Sequence, residues 1–435
     1  MPITTELDRS KIFNFTGTHS WTEDLPICRE SGVGYACNQM YSQDNHMWPE
    51  HPFEEICLHS GSSEDSSVFL YGVFDGHEGI QAAEFTMQGL AAELLLGQLA
   101  GKTKDQEIKE AFSQAFLSVE KNYLESLDDK VAQRTSCLFD IPEGLNQFEA
   151  YQKCPNVFES IRKLNSVLSC GTTAVVALVI GKRLYIANVG DSRALLCKTD
   201  SHGVHRVLQV SVDHDLSNED ELLRLDTLGI KPDKGIKRLG NQDNTRCIGN
   251  YLVKGAFREF EELASASEEP VIAEPEIQGG IELDDSCRFL LLMSKGLYKS
   301  LEEATGTTQV NKDIVQMAVA EFREQTTLTG VAQAVVDKVV RKHTDMSMSG
   351  VKPELIKRDD ISLLVRNFNF PMPHATPPMH FKDTLQTMSD TNSSSTCQTR
   401  TNPPTEIKSY IDFSEFYKKV GEAKANGTLP KELYF

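Results

Sequence analysis

The ten cysteines of this 435-residue chain run from Cys28 to Cys397, and no two of them stand three apart. That excludes a zinc ribbon of CxxC pairs and a thioredoxin-like motif. Scattered through so long a chain, they read as reduced, mostly buried thiols of an intracellular protein. Long hydrophobic runs are missing as well. The longest lies around Ala174–Ile180, far short of the ~20 residues that a membrane-spanning helix needs. The opening MPITTELDRSKIFNF has no apolar core of a secretory leader. An excess of basic charge is also absent: 44 Lys and Arg stand against 63 Asp and Glu, a net charge of −19. Neither nucleic acid nor membrane insertion is expected, and carboxylates are left over for divalent cations. The expected compartment is the cytoplasm, with the nucleus as a second. What is present, 40% hydrophobic and 25% charged residues, describes a globular chain able to bury a sizeable core.

The order of patterns implies an α+β protein. Residues 1–19 carry no clear period and are expected to form a flexible arm. Ser67–Phe74 reads as a buried strand, and Thr173–Ile180 and Arg183–Val189 flank a Gly181-Lys182 turn, a hairpin signal. Ala194–Lys198 and Val207–Val212 are expected to extend that hairpin into a meander, with further strands at Phe289–Met293 and Ile361–Val365. Helical periods occupy the stretch from Gly79 to Leu99 and the face formed by Ile108, Phe112, Phe116, Val119 and Tyr123. They return at Ile314–Phe322 and at Val331–Val340, the last expected to start after Gly330. Strands joined by hairpins, with helices grouped between them, predict antiparallel sheets covered by helices over residues 20–368.

Beyond the expected domain the texture changes. Residues 371–405 hold six of the seventeen prolines and twelve Ser or Thr. Residues 369–408 are therefore expected to be a solvated linker, with Thr376-Pro377 a candidate proline-directed phosphorylation site. In SYIDFSEFYKKV, Ser409 and Asp412 resemble a capping box, and Tyr410, Phe413, Phe416 and Tyr417 fall on one face of a helix expected over 409–421. Residues 422–435 form a tail.

The sharpest local signal is Asp75-Gly76-His77-Glu78-Gly79 at the end of an apolar strand. An Asp there can bridge two hard cations, the glycine lets a backbone carbonyl approach one, and His77 can protonate a leaving oxygen. Four companions follow: CGTTA (170–174), NVGDSRA (188–194), VDHD (212–215) and RDDISLL (358–364). Rival readings fail. An EF-hand starting at Asp213 would need Gly and Glu where Asn218 and Arg224 stand, and Gly171 is too far from Gly181-Lys182 for a P-loop.

In order and spacing these motifs resemble the metal-dependent protein serine/threonine phosphatase 2C family. The resemblance implies a β-sandwich of two antiparallel sheets flanked by helices (α/β/β/α). It also implies a magnesium or manganese site in which Asp75 bridges, Gly76 offers its carbonyl, Asp359 and Asp44 add ligands, and Asp191 serves a further, weaker metal. The chain departs from that pattern. Gln43 replaces a Glu, and Gln39 stands where an arginine grips the substrate phosphate. In MSKGLYK (293–299), Lys295 and Lys299 replace two metal-binding aspartates. An ammonium ~4 Å from a divalent ion repels it by about 8 kcal/mol at an effective dielectric of about 20. Lys295 is therefore expected to replace the metal by pairing with Asp75 and Asp359, leaving Asp75, His77 and Asp359 as catalytic remnants with no metal bound.

Stretches such as SWTEDLPIC (20–28), MSKGLYKSLE (293–302) and YIDFSEFY (410–417) resemble an inactive, kinase-binding branch of that family. This implies a non-catalytic adaptor that binds and activates the transforming-growth-factor-beta-activated kinase, a mitogen-activated protein kinase kinase kinase, through Tyr410, Phe413, Phe416 and Tyr417. It extends the expected partners to a second mitogen-activated protein kinase and an inhibitor-of-apoptosis protein. The alternative is a weakly active metal-dependent phosphatase, since DGHEG and GDSRA keep the pattern of working members.

Overall fold

A run in which every residue is apolar hides which face it turns to which layer, and Ala174–Ile180, the greater part of strand β6 (Gly171–Ile180), is such a run. In the structure its residues alternate strictly. Ala174, Val176 and Leu178 pack with helical residues on one side, while Val175, Ala177 and Val179 pack against a second sheet on the other. Phe289, Leu291 and Met293 of β12 (Cys287–Met293) likewise face helices, with Leu290 and Leu292 turned between the sheets. Both strands are thus buried on both faces, as four stacked layers require.

The computed structural model of the chain describes residues 20–373 apart from 43–46, 62–67, 100, 143, 145–146, 232–237 and 353. One sheet has the order β1 (Ser31–Ala36), β14 (Ile361–Asn367), β12, β8 (Arg193–Thr199), β9 (His205–Gln209). The other runs β11 (Glu276–Glu282), β7 (Arg183–Val189), β6, β5 (Val68–His77), β4 (Glu55–Ser60), with β10 (Ile248–Gly249) paired to β6. Every pairing in both is antiparallel. A small sheet at one end joins β13 (Lys357–Arg358), β2 (Gln39–Tyr41) and β3 (Met47–Trp48).

Helices α1 (Gln81–Glu93) and α2 (Asp105–Ser126) cover the second sheet through Leu90, Phe112, Phe116 and Val119. The first sheet is covered by α7 (Lys295–Thr305), α8 (Val310–Glu324) and α9 (Leu328–Met348) through Leu297, Ile314, Phe322, Val335 and Val339. Three further helices, α3 (Asp128–Phe139), α4 (Gln147–Lys153) and α5 (Pro155–Leu168), follow α2 before the chain enters β6. The expected α+β sandwich of two antiparallel sheets flanked by helices is the observed one. No described helix is long and apolar enough to cross a membrane.

Three details of the expected organisation are corrected. The β6–β7 hairpin closes on Gly181-Lys182 as read, but the strand after it does not continue the same sheet. At Gly190–Ser192 the chain crosses to the facing sheet, where β8 pairs with β12 and β9. Gly190 makes that crossing with φ 90°, and a Cβ there would stand 2.5 Å from the Thr173 side chain. The strand expected at Val207–Val212 lies earlier, at His205–Gln209. Helix α9 begins at Leu328 rather than after Gly330, because the Thr327 hydroxyl caps it by accepting from the Gly330 N–H at 3.1 Å.

Between β9 and β11 the sequence inserts residues 210–275, which the periodicity did not mark as a unit. Leu225, Leu239, Cys247, Val253, Phe257 and Leu263 give it an apolar cluster of its own around α6 (Glu219–Thr227). A buried ion pair between Lys254 and Glu120 fastens it to α2, with Glu120 also accepting the Gly249 N–H at 2.8 Å. The arm 1–19, Asp44, Thr376-Pro377 and the aromatic segment 409–421 lie outside the described residues.

The last described residues hold an anchor. Phe370 is buried against Phe289 and Phe322, with ring centroids 5.7 and 4.9 Å away, and lies 5.5 Å from the His205 ring. Phe370→Ala should lower the unfolding free energy by about 3 kcal/mol in urea titrations, as expected for removing a buried aromatic ring. Substituting its exposed neighbour Asn369 by Ala should leave the urea midpoint nearly unchanged.

Candidate functional site

The crossing at Gly190–Ser192, the end of β5, the first turn of α7 and the link between β13 and β14 meet at one end of the sandwich. Together they bring Asp75, Gly76, His77, Asp191, Lys295 and Asp359 to the wall of one cavity of about 580 Å³. Strand β5 runs three residues past Phe74, so Asp75 is still in the sheet, paired with Glu55 on one side and Thr173 on the other. Helix α7 can reach this end because residue 296 is glycine: a Cβ there would stand 1.8 Å from the Asp360 carbonyl oxygen.

Lys295 does not pair with Asp75 and Asp359 as expected. Its ammonium lies 2.8 Å from Asp191 Oδ2 and 3.8 Å from Asp243 Oδ2. Asp75 is served instead by the backbone N–H of Lys295 at the start of α7, and the side chain extends past it to Asp191. Burial alone would lower the lysine pKa. The charge and hydrogen bond of Asp191, followed by Asp243 and Asp75, more than reverse this and hold it above the ordinary lysine range. Lys299 leaves the cavity altogether. One helical turn further on, it is half-exposed and 3.7 Å from Glu302, because α7 points away from the site. Of these two lysines, Lys295 alone lines the cavity.

The carboxylates left without a full counter-charge show the consequence. Asp75 is pushed well above the usual carboxylate range, by desolvation first and then by Asp359 and Asp191. Glu55, facing Asp75 across the ladder, is raised likewise, by burial and then by Asp75, and its Oε2 has no partner. Asp359 is raised by burial. His77 is held neutral, its pKa lowered to about 4 by burial and then by Lys254 and Lys295. Gln39 sits on β2 opposite Arg358 and is not among the residues lining the cavity.

Several site residues escaped the sequence reading. Asp360 is structural, its carboxylate accepting the Asn38 side-chain amide at 2.8 Å and the Glu54 N–H at 3.0 Å. His51 stands 3.9 Å from it. Asp243, Asn244 and Arg238 reach the cavity from the inserted segment, where no periodicity marks them. With its amide oriented to donate, Asn244 bonds Asp191 Oδ2 at 3.0 Å. The Asp359-Asp360 and Glu54-Glu55 doublets were the one available signal.

A family model for protein phosphatase 2C matches residues 145–348. A probable protein phosphatase 2C of Paramecium tetraurelia is 30% identical over 254 residues, covering 58% of this chain and 71% of its own length. The chain belongs to the protein phosphatase 2C family. It is also similar to a Caenorhabditis elegans protein described as TGF-beta-activated kinase 1 and MAP3K7-binding protein 1. That relative is 27% identical over 334 residues, 76% of this chain and 78% of that one. Among solved structures, that of a C. elegans sex determining protein shares the fold, with a TM-score of 0.51 at 14% identity over 81% of this chain and 67% of the other.

Members of the phosphatase 2C family use magnesium or manganese. Asp75, Asp359 and the Gly76 carbonyl are hard oxygen donors of the kind such ions take. The ammonium on Asp191 makes the set as a whole a poor fit for two divalent cations, and among the described residues no group of three or more acidic, His or Cys side chains stands in metal-binding geometry. Lys295→Asp should raise manganese affinity about tenfold or more by isothermal calorimetry, while Lys299→Asp should change it little.

The buried imidazoles add a pH dependence. His214, like His77, is lowered to about 4, by burial and then by Arg246. Both bind a proton more weakly folded than unfolded, so the unfolded chain takes up more protons between about pH 6.5 and 4, and stability falls as pH falls through that window. His214→Gln should flatten the drop in the urea midpoint between pH 7 and pH 5.

Proposed function

We propose that this chain is a pseudophosphatase, a non-catalytic adaptor that binds the transforming-growth-factor-beta-activated kinase and favours its active state. The observation that carries the non-catalytic half is the Lys295 ammonium 2.8 Å from Asp191, in the cavity where the family activates water on metal. An ammonium supplies charge but no Lewis-acidic position for a water, so His77 has no activated nucleophile to work with. The adaptor half is supported by the likeness to the C. elegans relative, whose name states a kinase partner.

The proposed contact is the segment 409–421. Anchors Tyr410, Phe413, Phe416 and Tyr417 have the spacing of a helix laid in an apolar groove. Burying Phe413, Phe416 and Tyr417 contributes roughly 5–9 kcal/mol gross, less the cost of ordering the segment. That leaves room for micromolar binding. To activate, the segment must prefer the active kinase conformation, since equal binding to both states shifts nothing. No feature of the described surface speaks for the second mitogen-activated protein kinase or the inhibitor-of-apoptosis protein.

A second reading, a weakly active metal-dependent phosphatase, is favoured by the presence of Asp75, Gly76, His77 and Asp359 on one cavity wall. A manganese-supplemented phosphopeptide assay separates the two. The adaptor reading expects release no faster than buffer, whereas chelator-sensitive turnover would establish the second reading. Deleting residues 406–435 should abolish co-purification with the kinase and leave the domain's melting temperature unchanged. A drop of several degrees would mean that the segment belongs to the domain.

A further inference from the structure

Residues 210–275 run between β9 and β11, rejoining the sandwich on the way through β10 on β6, and one stretch of them, 238–245, lines the cavity. It meets the sandwich there through side chains. Asn244 donates to Asp191, and Asp243 points its Oδ2 at the Lys295 ammonium from 3.8 Å while its Oδ1 accepts from Arg238 Nε at 3.0 Å. Asp191 is nearly inaccessible at the cavity floor, with 2% of its surface exposed, whereas the Asp243 side chain at the rim is 54% exposed. Lys295 therefore spans from floor to rim.

We propose that Lys295 is the latch that holds segment 238–245 over the cavity, cross-linking Asp191 of the sandwich to Asp243 of the insertion. The charged groups facing it are Asp191 from the β7–β8 crossing, Asp75 from β5 and Asp243 from the insertion, with Arg238 behind Asp243. Removing the ammonium leaves these carboxylates facing one another. Asp243 is the one free to swing into solvent, and the segment follows it. Beyond the segment the insertion stays fixed by β10 on β6 and by Lys254 with Glu120, so the motion is confined to 238–245. This goes beyond the adaptor reading and holds whether or not the chain turns over a phosphoester.

Native-state hydrogen exchange of the full chain, read by mass spectrometry on peptides covering 238–250, tests it. Lys295→Met should raise exchange there roughly threefold to tenfold, the size expected for losing one partly buried and one rim ion pair, and should leave α1 and α9 unchanged. Lys295→Arg should restore protection. Asp243→Asn, a rim substitution that leaves the core intact, should raise exchange in the wild-type background more than in Lys295→Met, since the two act through one contact. Arg238→Gln should raise it less than Asp243→Asn. Unchanged exchange at 238–250 in Asp243→Asn, or equal increments in the two backgrounds, would overturn the proposal, and the Asp243 variant decides the matter even if Lys295→Met does not fold.

Discussion

Four aspartates, Asp75, Asp191, Asp243 and Asp359, line one end of the sandwich, and the Lys295 ammonium ties two of them, Asp191 and Asp243, together. Asp191 is all but buried, and a buried carboxylate without a cation or donors is costly. Lys295 at 2.8 Å and the Asn244 amide at 3.0 Å meet that need, and the Lys295 backbone N–H serves Asp75. Neutralisation does the remainder. Asp75 and Glu55, directly opposite in the ladder, are both driven toward their protonated forms. The cavity wall thus sets the Lys295 ammonium beside carboxyls whose affinity for protons is raised.

The layers around the site explain why it is presented this way. Two sheets, each buried on both faces along its central strands, favour strand ends and crossings as places for charged residues. The family motifs sit at those places: Asp75 at the end of β5, Asp191 where the chain passes from one sheet to the other, Asp359 just before β14, Lys295 just after β12. The Asp359-Asp360 doublet divides its labour. Asp360 accepts from Asn38 and from the Glu54 N–H and so fixes the small end sheet, while Asp359 is left facing the cavity.

Much of this was legible from residues alone. The Gly181-Lys182 hairpin, the α2 face from Ile108 to Tyr123, and the convergence of the DGHEG, GDSRA and RDD motifs with Lys295 follow from period, turn chemistry and family spacing. What stayed hidden has physical causes. An all-apolar run such as Ala174–Ile180 of β6 shows no alternation, so the sheet crossing after β7 could not be read. Motif spacing does not give the direction in which a helix leaves a site, and so Lys299 was placed in a cavity that α7 carries it away from. Lys295 has several carboxylates within reach of its flexible stem, and only geometry selects Asp191. Asp243 lies in a stretch with neither apolar period nor motif, and nothing in the sequence attaches it to a lysine fifty-two positions later.

The cation held against Asp191 is a side chain. A dissolved metal fills its pocket according to its free concentration, and a chelator or a competing ion empties it. The Lys295 ammonium is tethered four carbons from the backbone, so its local concentration is set by geometry and is independent of the surrounding solution. On the pseudophosphatase reading, the charge held against Asp191 would therefore not vary with the supply of divalent ions.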